Sequence, residues 1–209
     1  MIFAIEPASE SGRRRLVARV ACDGGTETYD CTVDACPNPV CRCRTTNVVM
    51  RPRTPGLSER KIGLDLDARG IDEHFAKQAT SEAMADGEGL LAAMDEADFT
   101  LLDSFHYALK NRICEEAAPS EIKARFDFDE IERASLMQTY NDILPFGDMF
   151  VVTLGGAEYG VLDQYCVRPG CKCTDVYLSV LPAEDRGKLP VESGAVSVDY
   201  DTARWELVA

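Results

Sequence analysis

The chain has 209 residues, with 36 acidic side chains against 22 basic ones and a formal net charge of −14. That balance works against broad contact with a phosphate backbone, which needs clustered Lys and Arg, and only Arg13 to Arg15, Arg51 and Arg53 are candidates for a basic patch. Hydrophobic residues make up 45%, enough for the core of one large or two small domains, and no run approaches the ~20 apolar residues that cross a bilayer.

Taken in chain order, the opening "MIFAIEPASESGRRR" places its basic run after its apolar residues and does not read as a secretory leader. Nine cysteines without an export signal are expected as thiols in a reducing cytoplasm. "LVARVACDGGTETY" (16–29) then reads as strand, Gly-Gly turn and strand, since Gly-Gly supplies the positive φ of a tight hairpin. "DACPNPVCRC" (34–43) follows, then an apolar strand "TTNVVMRP" (45–52) and "GLDLDAR" (63–69).

Residues 71–118 are rich in the helix formers Ala, Glu, Leu, Met and Lys. Leu102, Phe105, Leu109 and Ile113 recur at helical spacing. Gly87 and Gly89 are expected to separate a first helix from this second one, and Pro119 to end it. A third helix is expected from the acidic start Asp129–Glu132, with Leu136, Tyr140, Ile143 and Leu144 on its buried side and Pro145 as its stop.

The strand pattern then returns. "MFVVTLGGAEYGVL" (149–162), "QYCVRPGCKC" (164–173), "TDVYLSVLP" (174–182) and "SVDYDTAR" (197–204) repeat the earlier segments in the same order. Tyr29 and Tyr159, like Pro52 and Pro182, stand at one constant offset. An α+β protein is therefore expected: a β module over 1–70, a three-helix insert over 71–145, and a second, similar β module over 146–209. Each repeated unit is ~55 residues, a size at which a β module commonly leans on a metal.

The two cysteine segments share Cys-x-x-Pro-x-Cys-x-Cys. Zinc takes four ligands in a tetrahedron, with thiolate sulfur at ~2.3 Å as its preferred structural ligand. Pro39 and Pro169 fix φ inside the turn and reduce the entropy lost on ordering it. Cys36, Cys41 and Cys43 form one ligand set; Cys31 would complete it, with Cys22 as rival. Cys166, Cys171 and Cys173 form the other. There Val161 takes the position of Cys31, so Asp163, His106 and Cys114 are the candidates for a fourth ligand. Two structural zinc ions are expected; the familiar iron–sulfur spacings differ from this one.

The segment "YNDILPFGDMFVV…EYGVLDQYCVRPGCKCTDVYLSV" (140–180) resembles a group of uncharacterised bacterial proteins that carry Asp-Gln-Tyr-Cys-x-x-Pro-x-Cys-x-Cys, some of which end in a SEC-C metal-binding motif. The resemblance implies that Cys166, Cys171 and Cys173 are metal ligands and draws attention to Asp163. The Cys-Pro-Cys-Gly-Ser-Gly tail of the fuller members is absent from this chain.

No Gly-x-Ser-x-Gly, phosphate-binding Gly-x4-Gly-Lys-Ser/Thr or His-Glu-x-x-His occurs, and His74 and His106 are the only histidines. Asp65 with Asp67, and Asp199 with Asp201, read as turn residues before a hard-cation site. The expectation is a cytoplasmic, non-catalytic zinc-binding protein that meets a protein partner, with neither nucleic acid nor membrane. The alternative is a zinc-dependent hydrolase or deaminase-like enzyme using Cys166, Cys171 and Cys173, with an open ligand position to activate water.

Overall fold

The computed structural model describes residues 1–7, 14–22, 25–123, 125–148, 150–182 and 194–208; Arg13 of the candidate basic patch and Gly24 of the first Gly-Gly turn lie outside them. The protein is α+β, with two antiparallel sheets and five α-helices among the described residues. It divides into two compact units, Met1–Pro37 with Arg42–Ile113, and Asn38–Cys41 with Cys114–Ala209.

The first unit holds a six-stranded sheet in chain order: β1 (Phe3–Pro7), β2 (Arg14–Cys22), β3 (Gly25–Ala35), β4 (Thr45–Pro52), β5 (Arg60–Asp65) and β6 (Gly70–Ile71). Strand periodicity decides its buried face. Thr46, Val48 and Met50 on β4 are all fully buried, while Asn47 and Arg51 on the alternate positions are exposed. Ile62 and Leu64 of β5 continue that face and cluster with Leu90 and Leu102. Each such side chain contributes about 1.5–3 kcal/mol on burial.

Three helices follow: α1 (Glu73–Gln78), α2 (Ser81–Ala93) and α3 (Glu96–Glu115). Asp72 caps α1 by accepting from the Phe75 N–H, and Thr80 caps α2 by accepting from that of Ala83. No break occurs at Gly87 and Gly89, which both lie inside α2; the break before the helix that carries Leu102 falls at Met94–Asp95, and another at Ala79–Thr80 separates α1 from α2. Gly87 is buried against the sheet, and a Cβ there would meet Ile71 at 3.5 Å and Ile62 at 3.7 Å, ordinary van der Waals contacts that a small side chain could make. On α3 the fully buried positions are Asp98, Leu102, His106 and Lys110, at four-residue steps, with Cys114 next at 2% exposure.

In the second unit a 3₁₀ turn (Pro119–Glu121) precedes α4 (Phe128–Ala134), the two-residue β7 (Gln138–Thr139) and α5 (Tyr140–Ile143). The single third helix expected here is thus two. Ser135 adopts φ 53 and ends α4, and Thr139 starts α5 anew by accepting from the Asp142 N–H. Leu136, expected to be buried, is 39% exposed. Leu144 and Phe146 cluster with Cys114, with Val40, Ile122, Tyr140 and Ile143 packed around them.

The second sheet runs β12 (Arg204–Leu207), β11 (Gly194–Asp199), β10 (Asp175–Pro182), β9 (Ala157–Tyr165), β7, with β8 (Phe150–Leu154) also paired to β9. Gly155 and Gly156, at φ 59 and 86, make the β8–β9 hairpin turn. The β9–β10 register repeats that of β3–β4. Ala35 pairs with Thr46 and Tyr29 with Pro52; Tyr165 pairs with Val176 and Tyr159 with Pro182. The likeness extends to the next turn. Asp65 Oδ1 accepts from the N–H groups of Asp67 (2.9 Å) and Ala68 (3.0 Å), and Asp199 Oδ1 from those of Asp201 (2.9 Å) and Thr202 (3.0 Å). These aspartates build turns.

Candidate metal centres

Each cysteine segment is the loop joining two long antiparallel neighbours, β3 to β4 and β9 to β10. The loops close the same way: the Cys41 N–H donates to the Asn38 carbonyl (3.2 Å) and the Cys171 N–H to that of Arg168 (3.1 Å). Gly170, at φ 75, takes the bend in the second loop. In the first, the Asn38 side chain helps by accepting from the Val40 N–H at 3.1 Å.

This folding brings three sulfurs together in each loop. The Sγ atoms of Cys36, Cys41 and Cys43 lie within 4.8 Å of one another, and so do those of Cys166, Cys171 and Cys173. Thiolates converging in this way suit a thiophilic ion, and the donor set is compatible with zinc. All six are free cysteines.

The candidate fourth ligands sit elsewhere. Cys31 is on β3, buried, with its thiol donating to the Tyr29 carbonyl at 3.8 Å. Burial, with the Asp30 charge beside it, pushes that thiol up to about 12. Cys22 is exposed and donates to the Gly25 carbonyl at 3.5 Å. Asp163 accepts from the Tyr165 hydroxyl at 2.8 Å and from the Tyr140 N–H at 3.3 Å. The Tyr165 hydroxyl is pushed up to about 12 by burial and by that carboxylate. Cys114 is buried and donates to the Pro39 carbonyl at 3.3 Å. None of these atoms belongs to either group of three sulfurs.

His106 was a candidate for the second loop, but α3 sets it within hydrogen-bonding reach of the Cys43 backbone in the first. Its burial comes first, and the nearby Arg44 guanidinium second, in holding its pKa below the ordinary histidine value. Two further neighbours of that loop carried no signal in the sequence. Lys110, fully buried, donates from Nζ to the Cys36 carbonyl at 3.1 Å. Arg44 pairs with Asp103, and with Asp67 at 3.3 Å.

The second loop lies open to solvent. Cys171 and Cys173 are exposed, and the Cys171 thiol donates to Cys173 Sγ at 3.1 Å. The Cys173 N–H, then the Cys173 and Cys166 thiols, bring Cys171 down to about 7. Contact with Cys171 and Cys166 pushes Cys173 up to about 12. The first proton leaves the cluster readily, because the remaining thiols solvate the thiolate it creates; the last leaves with difficulty.

Comparisons with protein-family models, with curated proteins and with solved structures found no match. Among the described residues no helix is long and apolar enough to cross a membrane.

Proposed function

We propose that this is a zinc-binding protein in which two cysteine loops, each closing a related β module, hold structural zinc, and that the folded chain serves as a protein-interaction module in the cytoplasm. The observation that carries this reading is the pair of three-sulfur groups at matching places in two sheets of matching register. Recurrence of a whole unit, with hairpin, loop and Asp turn in the same order, is what an internal duplication of a metal-stapled module would produce. The resemblance of 140–180 to the bacterial group with the same cysteine spacing points the same way.

A fixed zinc contributes folding free energy, because its ligands are not pre-arranged in the unfolded chain. The interaction role draws support from the net charge of −14 and from exposed apolar groups. Trp205 and Leu207 on β12, the edge strand of the second sheet, are 68% and 75% exposed and would gain from being covered. The hydrolase alternative needs a proton carrier at the second loop. Of its candidates, Asp163 is engaged by Tyr165 and Tyr140, and His106 lies beside the first loop, near the Cys43 backbone, which favours the structural reading.

Elemental analysis of protein purified without chelator, followed by thermal melts with and without chelation, tests the proposal. About two zinc ions per chain and a melting midpoint that falls on chelation are expected. Iron in place of zinc, or no metal in a reduced and metal-replete preparation, would overturn it.

A further inference from the structure

The two loops share spacing, register and turn hydrogen bond, yet their surroundings differ. Pro39 at the tip of the first is buried and its carbonyl accepts from Cys114, whereas Pro169 at the tip of the second is exposed. Val40 packs against the Leu144 and Phe146 cluster, while Gly170, its counterpart, has no side chain to pack. Cys36 and Cys43 are half-buried, and Cys171 and Cys173 are exposed. Lys110, fully buried on α3, braces the backbone at Cys36, and His106, equally buried one turn earlier, lies near the backbone at Cys43.

Groups behind the ligands set how firmly an ion is held. They fix ligand orientation, and losing one typically costs 10–100-fold in metal affinity. A buried cation such as Lys110 beside a thiolate site also offsets its negative charge, since three thiolates exceed the charge of one divalent ion. Exposed sulfurs are open instead to an incoming competitor, which can replace one thiolate at a time.

Building on the zinc reading, we infer that the loops divide the work: Cys36, Cys41 and Cys43 keep their ion as a fixed staple, while Cys166, Cys171 and Cys173 form an exchange site that takes up and releases a thiophilic divalent ion. The second loop is then the part of the molecule able to pass zinc to, or receive it from, another thiol ligand.

The test uses the full chain loaded with zinc and mixed with excess of a chromophoric chelator. Two release phases at least ~10-fold apart in rate are expected. Cys171→Ser should remove the fast phase and leave the slow one, and Cys41→Ser should do the reverse. Should Cys41→Ser fail to fold, Cys171→Ser decides alone, because its site is exposed and its slow phase must persist. Release of both ions in one phase, or loss of the slow phase in Cys171→Ser, would overturn the division of work while leaving two bound zinc ions intact. A chain that binds no zinc would overturn the underlying reading as well.

Discussion

Lys110 Nζ donates to the carbonyl of Cys36 at 3.1 Å, from a side chain with no solvent exposure. An ammonium is rarely buried without such an acceptor, since an unpaired charge in the interior is costly. Lys110→Met keeps most of the side-chain volume and removes the donor. It should destabilise the fold by about 1.5–3 kcal/mol, the range for a hydrogen bond to a charged group. Denaturant unfolding measures this; an unchanged midpoint and slope would show that the bond contributes nothing.

Asp98 has the opposite charge and an equally closed site. Fully buried, it accepts from the N–H groups of Ile2 (2.8 and 2.9 Å), Phe3 (2.7 Å) and Asp95 (3.0 Å). It thereby satisfies donors at the start of β1, an edge strand whose Phe3 is 1% exposed. Asp98→Ala strands these buried N–H groups and should cost about 3 kcal/mol, with Asp98→Asn costing less. Hydrogen exchange at Ile2 and Phe3 should accelerate in both variants. Protection equal to that of the parent would rule out the anchoring role.

Cys31 makes a prediction about pH. Its thiol is raised from 9.0 to about 12, chiefly by burial. A raised pKa means that the fold favours the protonated form, so this stabilisation is complete below the unfolded value and is lost as pH rises towards the folded one. Stability should decline between about pH 9 and 12, and Cys31→Ala should flatten that part of the profile beyond its cavity cost. At pH 8 an alkylating reagent should modify exposed Cys22 well before Cys31 in the folded chain. Equal labelling rates, read by peptide mass spectrometry, would contradict the burial argument.

Several elements were legible without coordinates because their signals are local. Apolar segments marked β4 and β10, and Gly155-Gly156 marked a hairpin. The Asp65 and Asp199 turns followed from residue types that bind their own backbone. The helices were less legible. Gly87 reads as a breaker until it is seen buried inside α2, and a left-handed Ser135 is not a residue that announces a helix end. Leu136 falls in phase with Tyr140 and Ile143, so its exposure depends on a break that periodicity does not reveal.

By itself the sequence determined which sulfurs gather. Cys36, Cys41 and Cys43, like Cys166, Cys171 and Cys173, are brought together by one short turn between paired strands, and spacing within a turn is a property of a few neighbouring residues. Only the tertiary structure decided what stands behind them. Lys110 reaches Cys36 across 74 positions and Cys114 reaches Pro39 across 75, contacts that lie within one compact unit in each case but far apart in sequence. Cys31 and Asp163, at plausible spacing for a fourth ligand, are instead drawn to the Tyr29 carbonyl and the Tyr165 hydroxyl. Long-range packing, which no local pattern encodes, is therefore what makes two loops of one spacing physically different.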